Sequence, residues 1–354
     1  CESDVAPPPE RLGVWTGRTE RLECEDADLP GPFILRLSGG PRRLARGDVV
    51  DVVAGLGPLQ LFRNASLPSP TPGAARRGAV LSGAVLGGDV TRASRGWTAQ
   101  IDHLRARVRS RIDATYPEVT APLARALVLG ESDLDTTDAA AFSKSGLLHL
   151  LAVSGTHLVI AVLALVGALR TALVRCGFLA RRYDVARVSS AWGAILGCIY
   201  ADFAGGSGSA WRAAFMLCVV LGGRALGFRL SGSLALGASI LIGLALDPLV
   251  GSDLSFLLSA LATAGLIGIG QPLAQLCERG IWERAPLKQL VGSLVATVSA
   301  TIPCAPALAF IDGQMTFAAL FANVVAGPLG ELVALPACLL HALSSAFPPL
   351  ELGL

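Results

Sequence analysis

Charge is what this sequence has least of. Only 16% of its 354 residues are Asp, Glu, Lys or Arg, against roughly a quarter in an average soluble domain. With 52% apolar residues, a wholly soluble protein is excluded and the sequence reads as a membrane protein. The signatures of self-powered or catalytic proteins are missing too. There is no GxxxxGKS phosphate loop, no HExxH helix, no GxSxG elbow and no constellation of paired carboxylates, so no catalytic residue, metal or cofactor is assigned. Nor does a charged n-region with an apolar core precede Cys1; any signal or leading membrane segment is expected upstream, as in a fragment.

Charge is also unevenly spread. Residues 1–145 hold 18 basic and 18 acidic groups, whereas residues 146–354 hold 11 and 9. A soluble-like first part therefore precedes a membrane-embedded second part. Of the eight cysteines, Cys176, Cys198, Cys218, Cys277, Cys304 and Cys338 lie in or beside apolar segments, where free Cys behaves as a small hydrophobe. Cys1 and Cys24 are open to pairing if the first domain faces an oxidising compartment.

Residues 11–62 contain short alternating or β-branched runs, RLGVWTG, GPFILRLSG and GDVVDVVAG, divided by Gly and Pro. That is the pattern of a small β domain, and a five-stranded barrel is expected within residues 1–96. SLPSPTPGAARRG reads as a linker or irregular excursion before one more run, AVLSGAVL. From Trp97 to Tyr116 the period becomes helical, with Trp97, Ile101, Leu104, Val108 and Ile112 on an apolar face and Arg105, Arg107, Arg109 and Arg111 around the rest. Two readings stand open for these arginines: contact with a membrane surface or nucleic acid, or a solvated face beside a packed one. Two more short helices complete a linking segment, 97–145.

Residues 146–354 supply stretches of spanning or near-spanning length near 147–169, 188–204, 207–226, 230–250, 253–276, 288–311 and 315–346. Gly327-Pro328 and Pro336 interrupt the last. Orientation follows from loop charge. Arg170, Arg175, Arg181, Arg182, Arg187, Arg224, Arg229, Arg279, Arg284 and Lys288 fall on one side, and the alternate connections carry Asp202, Asp247, Asp253 and Asp312. The basic side is therefore expected in the cytoplasm, and residues 1–145 outside it.

The run SGLLHLLAVSGTHLVI, 145–160, puts two histidines and a Ser-Gly step into the start of the first span. Ionisable groups at membrane depth mark function, and a broken helix there needs protein or water around it. His149 and His157 lie eight residues apart, about 80° around an ideal helix, and no third ligand is near in sequence. A polar pair lining a cavity or bonding backbone carbonyls is the reading preferred to a metal site, with Ser154 and Gly155 as hinge. Arg212 in GGSGSAWRAAFM either snorkels to the interface or serves a phosphate-bearing substrate from a pore wall, with Asp202 as a possible partner. Asn323, Pro328 and Glu331 mark an interrupted helix of the kind that builds transport sites. Asp253 reads as a helix cap, and Ser255 and Ser259 as hydroxyls bonding their own backbone.

Together, ALVLGE, FSKSGLLHLLAVSGTHL, GGSGSAWRAAFM, DLSFLLSALATAGL and FANVVAGPL, in that order, resemble the ComEC family of competence proteins. Residues 1–96 resemble its small OB-type domain more weakly. The resemblance implies a mainly α fold: a polytopic helical membrane bundle with interrupted helices, preceded by a small OB-like β-barrel outside the cytoplasm. It implies a multi-pass channel subunit of the bacterial cytoplasmic membrane for DNA uptake in transformation. Its partners would be single-stranded DNA, membrane lipid, a DNA receptor and a cytoplasmic translocation motor. The nuclease would be a C-terminal metallo-β-lactamase-like domain; no HxHxDH-type motif occurs in these residues, so none is assigned here. A secondary transporter of a small solute is the alternative, with Glu331 its strongest carboxylate. With 12 Arg against 11 acidic residues and only Trp15, Phe33 and Phe62 as aromatics, residues 1–96 are poor in stacking platforms for single strands. Docking the nuclease or gating the mouth are their other expected roles.

Overall fold

The computed structural model describes residues 2–6, 14–23, 28–39, 44–59, 78–131, 133–147, 155–278, 285–312, 322, 326 and 329–344. Cys1, Cys24, His149, Ser154, Asn323 and Pro328 lie outside them, as does the side chain of Glu331. The chain divides into two compact units, residues 1–122 with 131–133, and residues 123–130 with 134–354. The expected linking segment, 97–145, is thus shared between them.

The first unit is built on five strands, β1 (Glu2–Ala6), β2 (Val14–Glu23), β3 (Asp28–Ser38), β4 (Asp48–Pro58) and β5 (Leu81–Arg92). β2, β3, β5 and β4 pair in that order, with β3 and β5 parallel and the other pairs antiparallel. β1, antiparallel to both β2 and β4, bridges the two edges and closes the ring. Strand alternation explains the interior: in β4, Val50 and Val52 are buried while Asp51 and Val53 between and beyond them are exposed. They pack with Trp15, Leu35 and Leu37 as the core. Trp15 Nε1 donates to the Gly39 carbonyl at 2.7 Å, so the indole is both buried and satisfied.

Helix α1 (Trp97–Thr115) belongs to this unit. Arg46 binds Asp102 through Nε (3.0 and 3.1 Å) and Nη2 (2.9 Å). Ala99, Ile101, Val108 and Ile112 are buried, as the helical period requires, but Trp97 and Leu104 are exposed at 63% and 42%. The expected apolar face is therefore narrower than its sequence. Arg105 takes part of it, buried with Nη2 3.9 Å from Glu131, while Arg109 reaches Glu131 at 3.1 Å and Asp133 at 3.4 Å. For these two arginines the structure favours internal pairing over contact with lipid or nucleic acid.

The second unit is helical. After α2 (Ala121–Leu129), which crosses the division, and α3 (Thr136–Lys144) come α4 (Gly155–Arg175), α5 (Gly177–Arg182), α6 (Val185–Phe203), α7 (Gly208–Leu226), α8 (Gly232–Leu246), α9 (Leu254–Gly265), α10 (Gln271–Glu278), α11 (Ala285–Asp312) and α12 (Leu335–Ser344). Among the described residues, four segments are long and apolar enough to cross a membrane: Gly155–Arg175, Gly208–Leu226, Leu254–Leu276 and Val291–Ala309. Caps set their starts. Asp184, Ser207, Ser231 and Asp253 accept from the first-turn N–H groups of α6, α7, α8 and α9.

Packing among α4, α6 and α7 uses small residues inside and large ones outside. Ala201, Ala204, Ala210, Ala213 and Ala214 fill the core with Leu158, Val162, Leu217 and Leu221, whereas Trp192, Ile195 and Ile199 on α6 are exposed. That inversion suits helices surrounded by lipid, where close backbone approach replaces the hydrophobic drive of water. Cys198 on α6 meets Cys218 on α7 with sulfurs 3.4 Å apart, both thiols free.

Interruptions also occur. A π-helical turn, Leu266–Gly270, separates α9 from α10, another, Gly330–Ala334, precedes α12, and Pro303 and Pro306 lie inside α11. Pro303 cannot donate to the Ser299 carbonyl four residues back. That oxygen faces Gly265, where any Cβ would overlap it.

Candidate functional site

The residues that converge come from α4, α7 and α9. Asp253 Oδ1 caps α9 at the Phe256 N–H, 3.1 Å away, and this start places Ser255 and Ser259 one turn apart on one face. Ser207 caps α7 in the same way and places Ser209 and Arg212 along a matching stripe. The stripes meet: Ser209 N–H donates to Ser255 Oγ at 3.1 Å, and Arg212 Nε donates to Ser259 Oγ at 2.9 Å. Gly208 allows the approach, since a Cβ there would press on Asp253 and on the Phe256 nitrogen at under 3 Å.

Ser255 and Ser259 therefore do not bond their own backbone as the sequence suggested; their hydroxyls accept from the facing helix. Their four-residue spacing opposite Ser209 and Arg212 was the available signal. Asp253 is the cap it was expected to be.

Arg212 is 4% exposed. Besides Ser259 its only acceptor among the described residues is the Met216 thioether, 3.8 Å from Nη1, a weak acceptor. Asp202, expected as its partner, sits in the last turn of α6 and does not pair with it; the Asp202 carbonyl accepts from Gly205 N–H. Snorkelling is excluded by the same burial, because a snorkelling head lies in water. Gly155, the first residue of α4, packs against Arg212: a Cβ on it would stand 3.5 Å from Nη2 and 3.3 Å from Ala213 Cβ. His157, two residues on, is fully buried beside Leu158.

His157 and Arg212 are thus interior residues of the helical unit, Gly155 is half-buried, and Gly155 and Arg212 are brought together. No group of three or more His, Cys, Asp or Glu side chains able to hold a metal occurs among the described residues. What the arrangement offers is a buried cation, neutral hydroxyls and a helix start.

The family model described as Competence protein matches residues 127–354. The chain belongs to the Competence protein family. Every residue of the α4, α7 and α9 junction falls within the competence domain so defined, and the five-stranded unit falls before it. A role in DNA uptake during competence follows from that membership. No curated protein and no solved structure matches the chain.

Proposed function

We propose that the chain is the membrane channel subunit of a ComEC-type competence system, a conduit for single-stranded DNA through the bacterial cytoplasmic membrane. The observation that carries this reading is the competence-family match across the helical unit. The buried Arg212 supports it, because a cation without a carboxylate suits a polyanion passing by.

The path would run past the N-terminal ends of α4, α7 and α9. Arg170, Arg175, Arg181, Arg182, Arg187, Arg224 and Arg229 are all exposed and cluster around the opposite helix ends. By the positive-inside rule that end faces the cytoplasm, so the junction opens outward and residues 1–145 lie outside. Passage needs no chemistry from this chain; a cytoplasmic motor would pull, and a C-terminal metallo-β-lactamase-like domain would degrade the other strand after a receptor delivers DNA. The strand order β1-β2-β3-β5-β4, closed by β1, supports an OB-type barrel for the first unit. Its Trp15 is spent in the core and Phe33 packs beside it, so base stacking by these two is not assigned. Docking or gating is the role we give it.

The test is uptake by proteoliposomes containing the full-length protein and an encapsulated single-strand-binding protein as trap. Labelled single-stranded DNA is expected to accumulate inside. Accumulation of small solutes against a gradient, with no DNA entry, would overturn the conduit in favour of a transporter.

A further inference from the structure

Two thiols meet where α6 and α7 pack closely. Glycines make the approach possible: a Cβ on Gly193 would stand under 3 Å from Val166 of α4 and Leu221 of α7, and one on Gly197 would touch Val162 and Leu217 at 3.9 Å. The backbone of α6 thus lies directly against its neighbours' side chains. At this level Cys198 Sγ is 3.4 Å from Cys218 Sγ, and Cys218 Sγ donates to the Ala194 carbonyl, one turn back on α6, at 3.4 Å. A thiol has one proton to give, so Cys198 is the donor within the pair. Both thiols are free and half-buried, and Ile195 and Ile199, which flank Cys198 on α6, are exposed. The pair therefore lies at the outer, lipid-facing side of the α6 and α7 contact. Cys304 on α11, by contrast, meets a carbonyl, that of Leu258. Packing as a small hydrophobe does not require two sulfurs from different helices to touch; bonding does, and from 3.4 Å they need only close to about 2.0 Å.

We propose that Cys198 and Cys218 form a reversible disulfide, a redox staple that fastens α6 to α7 and restrains DNA uptake under oxidation. The surroundings select the oxidant, which must be small, uncharged and soluble in lipid, as hydroperoxides are. One sulfur attacks the peroxide: an S–O bond forms as O–O breaks, and the second oxygen leaves as water or alcohol with the thiol's proton. The other thiol then attacks that sulfur, S–S forms as S–O breaks, and the hydroxyl departs as water with the second proton. Two electrons have passed from the sulfurs to the peroxide oxygens. A dithiol reverses the link by exchange, itself becoming the disulfide. The restraint on uptake rests on the DNA-conduit reading, whereas the link does not. α7 also carries Arg212, six residues from Cys218 and about 9 Å away by helical rise. Fixing α7 to α6 therefore reaches the proposed path through one helix.

The experiment treats the full-length protein in proteoliposomes with hydrogen peroxide, then divides it into samples with and without dithiothreitol. Peptide mapping without reduction is expected to find the Cys198 and Cys218 peptides joined and lighter by two hydrogens. The thermal midpoint should rise by several degrees, as for closing a ring of about 20 residues. Uptake of labelled single-stranded DNA should fall in proportion to the fraction joined and return on reduction. Cys198→Ala and Cys218→Ala should each take up DNA as the parent does and lose the response to peroxide. Should one of them not fold, the other gives the same comparison, and the peptide map of the parent needs neither. Peroxide that leaves both thiols free, or oxidises them without joining them, overturns the site. A link that leaves uptake unchanged overturns the restraint, as does a peroxide response that survives in the alanine variants. No DNA entry through the reduced parent, with the link still forming and raising the midpoint, keeps the site and overturns the conduit.

Discussion

In the β-containing unit Arg46 meets Asp102, and Arg105 and Arg109 meet Glu131 and Asp133. In the helical unit Arg212 is buried more deeply than any of them, yet meets a serine and a methionine. The physics is the same in both places: taking an ion out of water costs several kcal/mol unless an opposite charge is brought with it. The first unit meets that cost locally, as expected of groups that tie a helix and a loop to a barrel. The second leaves it standing, which is expected where stability has been exchanged for a task. Arginines that look alike in sequence thus divide, among the described residues, into those paired with carboxylates and one paired with neutral groups.

The largest effect expected from that contrast is on DNA uptake. Arg212→Gln should reduce uptake per folded molecule on the order of a thousandfold, the upper part of the range for losing a buried charged contact. Arg46→Gln, measured in the same transport assay, should leave uptake per folded molecule unchanged. Reversal of the two results would break the comparison.

Stability should respond in the opposite sense. Glu131→Gln removes the carboxylate that faces both Arg105 and Arg109, leaving Arg109 its Asp133 contact, and should cost about 3 kcal/mol in denaturant unfolding of the first unit's signal. Within the helical unit, Gly265→Ala forces a methyl group into the Ser299 carbonyl and should cost about 2 kcal/mol, read as a lower thermal midpoint in detergent. Ser259→Ala should cost least, about 1.5 kcal/mol for one hydrogen bond to a charged group, with only a few-fold loss in uptake because Arg212 keeps its charge.

Much of the fold was legible because hydropathy and caps are local. The stretches read near 188–204, 207–226 and 253–276 became α6 at Val185–Phe203, α7 at Gly208–Leu226 and the α9 to α10 segment from Leu254, each opened by a Ser or Asp that the sequence displays. The strand alternation in GDVVDVVAG likewise fixed which valines face inward. What could not be read is which helix lies opposite which. α7 and α9 pack together although α8 separates them in sequence, so Ser255 and Ser259 looked like hydroxyls of one helix when they serve two. The π turn at Leu266–Gly270 was hidden for a related reason: Gly265 just before it and Gly270 at its end fit against Ser299 of α11, and that fit exists only in three dimensions. Trp97 and Leu104 misled in the reverse direction, since an apolar side chain at helical spacing need not be covered. For Arg212, charge complementarity pointed to Asp202 as partner, and the structure supplied Ser259 instead.

The central claim is that Arg212 is held for what it binds and not for the fold. The direct measurement is the thermal midpoint of the ligand-free Arg212→Met protein, set beside its DNA uptake. A midpoint equal to or above that of the parent, with uptake abolished, is the expected result. A midpoint several degrees lower, with uptake falling only in proportion to the folded protein remaining, would contradict it.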